Sequence, residues 1–518
     1  MVDLNIVAVA LGGFAATLAI EALLVPRPQW RRPGSSWLLH AGVWGVLLGA
    51  LYLLTGRPLF SGINALAGWL LVVMVSNAKY HSLREPFVCA DFEYFSDAVR
   101  FPRLYLPFFG VGKAAALALV FLAYVAGGLY FEPRAAGAGA MALGLLAVAL
   151  LALWRGHGLW REPSFEASED LRQWGLAACL WRYYFAARQP VDVAGLGSPF
   201  AAPGPPMAGL PMAGLPDMVS VQSESFFDVR GLFAGVRPEV LGNFDRLRAE
   251  SLAQGPLQVA AWGANTVRTE FAYLTGLGGE RLGVHRFNPY RLLARKGLPS
   301  IASQFKRQGY RTVCVHPYAG SFYGRDKVLP ALGFDEFIDV RAFDDSHKAG
   351  PFVGDCAVAD KVIALLQAQG RTEPLFIHVV TMENHGPLQL EQVPQADLPT
   401  WFSEPLTPAL RDLGPYVRHI ANADRMLGML HAHLAGSERA AGLCFYGDHV
   451  PILPEVYEAL GAPVGNTEYF VWSNRARAAH AVAAQGLAVQ ALAGAFQGLI
   501  SDVGMAARED APARVAHG

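Results

Sequence analysis

Five long apolar segments stand at the front of the chain: Leu4–Val25, Trp37–Thr55, Leu59–Ser76, Leu106–Tyr130 and Ala135–Trp154. Each approaches or exceeds the roughly 20 residues that a helix needs to cross a bilayer. Five spans are therefore expected, and with them an N-terminal transmembrane domain over residues 1–156. The composition agrees, because only 16% of the residues are charged and 53% are hydrophobic, whereas a soluble chain is about 25% charged. The first segment has neither a basic n-region nor a cleavage site before a polar mature domain, so it reads as an anchor. Lys113 lies inside the fourth segment and is expected to snorkel or to face the bundle.

The net charge is −1 and there is no Lys/Arg-rich run, which excludes the electrostatic footprint of nucleic-acid binding. Cys89, Cys179, Cys314, Cys356 and Cys444 are scattered without paired spacing, so neither a zinc ribbon nor a disulfide framework is expected.

After Trp154 the pattern changes. Leu171–Ala187 mixes Trp, Tyr and Phe with Arg172 and Arg182, which suits a helix at the headgroup level and, as a weaker alternative, a short sixth span. Gly195–Pro216 is dense in Pro and Gly and repeats PMAGL, the composition of a linker. Residues 157–216 are thus an amphipathic helix followed by a linker.

From Asp217 to the end at 518, short apolar runs alternate with helical stretches: MVSVQ, the Pro238–Leu252 region, RTVCV, Val353–Gln369, LFIHVVT, Tyr416–Leu434 and LCFY. This alternation predicts an α/β domain with a mainly parallel central sheet and helices on both faces. Ligands of open α/β sheets bind at the carboxyl ends of the strands. Those positions hold Ser223-Glu224-Ser225, His316, Met382-Glu383-Asn384-His385 and Gly447-Asp448-His449. A single Glu or His at a strand end is more often a loop or capping residue, but here every strand end delivers a polar group.

Glu224, Asp448 and His449 offer oxygen and nitrogen donors suited to Mn²⁺, Mg²⁺ or Zn²⁺, and two converging carboxylates would repel each other without a cation. Gly447 is expected to allow a tight turn that aims both neighbours at one ion. A nucleophile is sought in Trp262–Leu277, where Gly263-Ala264-Asn265 reads as a loop and Thr266 as the cap of the helix that follows. A hydroxyl there faces unpaired N–H groups and the positive end of the dipole, and metal coordination would activate it. On this segment alone, a plain N-cap is the preferred reading of Thr266.

The order Glu in QSES, Thr in NTVRTEF, His in ENHGP and then GDH resembles the lipoteichoic acid synthase and phosphoglycerol transferase family, a membrane branch of the alkaline phosphatase–sulfatase superfamily. The resemblance covers nearly the whole chain, including five spans, an interfacial linker and a sulfatase-like domain outside the membrane. It implies that Glu224, Thr266, Asp448 and His449 bind one divalent ion, usually manganese, with Thr266 as covalent nucleophile. It also implies that His316 and Arg325 contact the phosphate and glycerol of the substrate and that His385 stands beside the leaving or attacking oxygen. Tyr323 replaces a tryptophan of the Gram-positive synthases.

The implied reaction takes glycerophosphate from phosphatidylglycerol to a cell-envelope glycan or polymer through a phosphothreonine, at a bacterial inner membrane with the catalytic domain facing outward. Phosphoethanolamine transfer is the runner-up, although that family typically carries several disulfides. A sulfatase would need a C/S-x-P-x-R signature that is absent, and a non-catalytic scaffold would not need all four ligands.

One feature opposes the implied orientation. Arg27, Arg31 and Arg32 follow the first span and Lys79, Arg84, Arg100 and Arg103 the third, against Arg57 and Arg134 in the other loops. Positive-inside logic would put the C-terminal domain in the cytoplasm. Either Leu171–Ala187 crosses, or Glu85, Asp91, Glu93 and Asp97 offset the third loop.

Overall fold

The computed structural model describes the backbone of residues 2–92, 111–203, 214–476 and 484–509, and the side chains of 6–92, 119–203, 214–476 and 484–503. The Lys113 side chain, the start of the fourth expected span at 106–110, Glu93, Asp97, Arg100, Arg103 and most of the PMAGL repeat lie outside these residues. The chain divides into two compact units, Met1–Pro190 and Val191–Gly518.

In the first unit, three described helices are long and apolar enough to cross a membrane: Gly34–Thr55, Pro58–Leu83 and Ala138–Gly158. Helices also occupy Val2–Glu21 and Val111–Phe131, at the first and fourth expected positions. Their fully described apolar parts, Ile6–Glu21 and Leu119–Phe131, are shorter than a crossing. The Gly34–Thr55 and Ala138–Gly158 helices pack through small residues. A Cβ placed on Gly42, Gly45 or Gly49 would come within 2.6, 2.7 and 2.9 Å of Leu153, Ala149 and Leu146. In lipid, where apolar surface gains nothing by leaving the solvent, such close backbone approach is a main source of helix association.

Leu171–Ala187 is not one continuous helix. It forms Ala167–Trp174 and Leu176–Ala186, of 8 and 11 residues, broken at Gly175 with φ 78°. At 1.5 Å per residue, neither approaches the hydrocarbon thickness of about 30 Å. Leu171, Trp174, Leu176, Ala178, Arg182 and Tyr183 are buried in the first unit. The Arg182 guanidinium stacks 4.3 Å above the Trp174 ring. Two of the loop cations that opposed an outward orientation are ion-paired. Arg32 pairs with Glu21, and Lys79 pairs with both Glu85 and Asp91, each at 2.6 Å.

The second unit is built on strands β1 (Asp217–Ser223), β2 (Ala253–Gln258), β3 (Arg311–Val315), β4 (Glu336–Ile338), β5 (Leu375–Val380), β6 (Ala441–Gly447), β7 (Thr467–Ser473) and β8 (Leu487–Ala488). Their order is β4-β3-β5-β1-β6-β7-β2-β8. The first five are parallel to one another, and β7 runs antiparallel to both β6 and β2.

Strand periodicity divides the core in two. Val219, Val221, Leu443 and Phe445 face one layer, with Val358, Val362, Ile420 and Leu427 from the Asp355–Leu366 and Leu413–Ala435 helices. Met218, Cys444 and Tyr446 face the other, with Phe271 and Leu274 from the Thr266–Thr275 helix and Leu492 and Phe496 from the C-terminal helix. The expected α/β domain is therefore present, with a sheet that is mixed at one side. Sequence reading found β1, β3, β5 and β6 and passed over the rest. Strand β2 contains Gly255-Pro256, which weaken a strand signal, while β4 and β8 have only three and two residues.

Candidate active site and metal centre

Four parallel strands end side by side, and their register brings separated residues together. Ser223 of β1 is level with Gly447 of β6, so Glu224 and Asp448 emerge as neighbours. Glu224, Asp448 and His449 offer ligand atoms that all lie within 4.8 Å of one another. His449 Nε2 is 3.6 Å from Glu224 Oε1 and 3.5 Å from Asp448 Oδ2. All three side chains are buried.

Thr266 completes this group. It is the first residue of its helix, and Asn265, in the left-handed region at φ 67°, is the N-cap. The expectation that Thr266 itself caps the helix is thus corrected. Its hydroxyl points instead to the acidic cluster, with Oγ1 donating to Glu224 Oε2 at 3.3 Å.

Gly447 also has a different reason from the one expected. A Cβ at this position would stand 1.9 Å from the Phe226 carbonyl oxygen, so the residue allows strand β6 to approach the β1 turn. That turn is held at Ser225, φ 51°. Its N–H donates to Asp448 Oδ1 at 2.8 Å and its hydroxyl to Glu224 Oε1 at 2.9 Å. Behind it, Thr381 Oγ1 accepts from Glu224 N at 3.0 Å, Asn384 Nδ2 donates to Ser225 O at 3.4 Å, and Tyr416 Oη accepts from Phe227 N at 3.0 Å.

The donor set fits a divalent cation. Asp448 Oδ2 is buried and makes no hydrogen bond among the described residues. Burial, and then the charge of Glu224, pushes the Asp448 carboxyl up to about 7. His449 is raised as well: burial opposes its charge, but Asp448 and Glu224 outweigh it. Negative charge is in excess here, and a cation bound by these groups would relieve it.

The other expected site residues form a second assembly. Arg325 is buried, with NH2 2.6 Å from Glu270 Oε2 and Nε 3.2 Å from both carboxylate oxygens. Its NH1 donates to His316 Nε2 at 3.1 Å, and His316 Nδ1 donates to Val380 O at 3.0 Å. Burial and the Arg325 charge hold His316 down at about 3, so it is neutral. The Tyr323 ring lies 5.4 Å from the Arg325 guanidinium carbon. Arg325 is therefore a buried residue, held by Glu270 and His316.

His385 sits at the rim, partly exposed, with Nδ1 donating to Gly386 O at 2.8 Å and the ring 5.4 Å from that of Phe352.

Sequence reasoning missed Glu270, and it placed Glu383 at a strand end without giving it a role. Glu270 lies one helical turn beyond Thr266 and ties that helix to Arg325. An acid in the apolar stretch EFAYL was the available signal. Glu383 is not part of the Glu224–Asp448–His449 cluster. It accepts from Asp355 N at 2.7 Å and Asn422 Nδ2 at 2.5 Å, and its Oε1 is 2.9 Å from His419 Nδ1.

Comparison with known proteins adds to this geometry. The Sulfatase family model matches residues 216–495. The chain is 27% identical over 460 residues to the capsular polysaccharide biosynthesis protein RkpI of Rhizobium meliloti (strain 1021), covering 84% of this chain and 81% of that one. It is 30% identical over 261 residues to a putative cyclic beta-1,2-glucan modification protein of the same organism, covering 50% and 39%. To the lipoteichoic acid synthase of Staphylococcus aureus (strain USA300) it is 32% identical over 101 residues, covering 19% and 15%.

Proposed function

The chain belongs to the sulfatase family, within the membrane branch of the alkaline phosphatase–sulfatase superfamily, and from that premise we propose that it is a membrane-bound phosphoglycerol transferase. It moves glycerophosphate from phosphatidylglycerol to a cell-envelope glycan or polymer through a phosphothreonine at Thr266. The observation that carries this reading is the half-buried Thr266 hydroxyl, aimed at the Glu224–Asp448–His449 cluster from the first turn of a helix.

Glu224, Thr266, Asp448 and His449 would hold one divalent cation, with Mn²⁺ the favoured ion. Such an ion supplies Lewis-acid stabilisation of phosphoryl oxygens and lowers the pKa of a bound hydroxyl. The chain's own residues do the rest. Thr266 Oγ forms a bond to phosphorus as its own proton passes along its hydrogen bond to Glu224 Oε2, the bond to the diacylglycerol oxygen breaks, and His385 Nε2 gives that oxygen a proton. An acceptor hydroxyl then attacks the phosphothreonine, its proton passes to His385, and the bond from phosphorus to Thr266 Oγ breaks as that oxygen recovers its proton from Glu224. Developing charge is met by the helix N-terminus. His316, Tyr323 and Arg325 form the head-group pocket, which Glu270 holds in place.

Residues 1–156 act as a five-span anchor, 157–216 as interfacial segment and linker, and 217–518 as a catalytic domain on the outer face of a bacterial inner membrane. A glycan acceptor accords with the names of the relatives, one in capsular polysaccharide biosynthesis and one in glucan modification. Phosphoethanolamine transfer is the less favoured reading. Cys314, Cys356 and Cys444 are free thiols, so the disulfides of that family have no counterpart. The test is incubation of the purified full chain with head-group-labelled phosphatidylglycerol and phosphatidylethanolamine in parallel. Release of diacylglycerol from the first supports the assignment, and preferential transfer from the second overturns it.

A further inference from the structure

Between Arg281 and Arg325 the sequence places nine arginines and lysines and no aspartate or glutamate, in a chain whose net charge is −1. The fold neutralises part of this excess with acids from outside the stretch. Arg325 pairs with Glu270, Arg311 with Glu336 and Lys306 with Asp335. Arg307 donates to the Phe200 carbonyl at 2.7 Å.

A cationic face is left. Arg281, Arg291, Arg295 and Lys296 are exposed, and Arg295 and Lys296 make no ion pair among the described residues. The half-buried His285 registers the field, being lowered by burial and then by the charges of Lys296 and Arg291. This face adjoins the pocket assembly. A Cβ on Gly324 would stand 2.7 Å from Arg295 NH2, so the Arg295 guanidinium lies over the residue that joins Tyr323 to Arg325.

We propose that the exposed cations around Arg295 and Lys296 are a docking surface for anionic phospholipid that holds the mouth of the head-group pocket against the bilayer. The lipids engaged here are not the ones cleaved, and only the placement beside a pocket mouth rests on the transferase reading. A lipid surface is the chosen occupant because the chain carries helices able to cross a bilayer. A dense array of phosphates is thus always at hand, whereas a soluble polyanion is not. Each Lys or Arg near such a surface changes binding about fivefold.

The experiment follows amide hydrogen exchange over residues 281–297 of the full-length protein in nanodiscs of phosphatidylcholine alone, or of phosphatidylcholine with phosphatidylserine. No turnover is required, so failure of the transferase reading leaves the result intact. Slower exchange in the anionic discs is expected. It should be lost in the Arg295→Gln/Lys296→Gln double variant and in salt that shortens the Debye length from about 8 to about 3 Å. Arg295→Lys keeps the charge and should keep the protection. Equal exchange in both discs overturns the proposal. So does protection that appears in neutral discs only after a soluble polyanionic glycan is added, an outcome that would give the face to an acceptor.

Discussion

Arg325 and Glu270 form a salt bridge of 2.6 Å with side-chain exposures of 2% and 0%, and it fastens the loop after β3 to the helix that begins at Thr266. Burial alone would discharge the carboxyl, yet Arg325 holds Glu270 below the usual carboxylate range, and Glu270 in turn holds Arg325 above its own. Tyr290 Oη also donates to Glu270 Oε1 at 2.7 Å. Each charge is a condition for burying the other.

Arg325→Ala should therefore unfold the second unit more readily as well as abolish turnover. Removing one partner of a buried pair costs about 3–5 kcal/mol, while replacing both by apolar residues is often far milder. The Arg325→Met/Glu270→Leu double variant should melt above Arg325→Ala, as monitored by thermal denaturation of the purified protein. Equal melting of wild type and Arg325→Ala would show that the pair does not have this role.

The Asp448 carboxyl should make stability fall with pH in protein stripped by EDTA. Between the ordinary Asp448 value of 3.8 and about 7, the folded state keeps a proton that the unfolded chain releases. Raising the pH across that window therefore favours unfolding. His449 acts in the same direction, because a raised imidazole loses its stabilising charge as pH climbs through its folded value. Mn²⁺ should restore the loss, and Asp448→Asn should flatten the profile of the stripped protein. Melting curves from pH 4 to 8, estimated as bracketing these values, make the check.

Thr266 is not the cap of its helix, so Thr266→Ala should stop turnover and lower stability by less than the roughly 1 kcal/mol of a lost N-cap. Thr266→Ser should retain a trace of activity, since it keeps the hydroxyl. Mass spectrometry of the peptide around Thr266, taken during turnover of phosphatidylglycerol, should find glycerophosphate on wild type alone. An active alanine variant with an unmodified wild-type peptide would end the covalent mechanism.

Glu383, two residues before His385, is bound by Asp355, His419 and Asn422 and is not part of the cation cluster. Burial opposes the charge of His419, but its contacts with Glu383 and Glu391 raise it above the usual imidazole value. Glu383→Gln keeps the shape and removes the charge from this network. A decrease in kcat of about tenfold is expected, with KM and Mn²⁺ content retained. Loss of metal in proportion to activity would instead place Glu383 in support of the cation site.

Residue pattern alone determined much of this protein. Apolar runs that approach or exceed the length of a bilayer crossing, the change to alternating strands and helices after Asp217, and polar residues after four apolar runs are local properties, and local periodicity records them. The sequence also named Glu224, Thr266, Asp448 and His449, because each stands at the end of a strand or the start of a helix. Only the tertiary structure decided which groups meet. The register of Ser223 with Gly447 made Glu224 and Asp448 neighbours across more than two hundred residues, and Gly447 proved to be needed for room beside Phe226. It also made Arg325 half of a buried pair, and split Leu171–Ala187 at Gly175. The physical reason is range. Helix and strand signals act over a few residues, whereas charge pairing and desolvation depend on what the fold brings alongside, and the partner Glu270 lies 55 positions away.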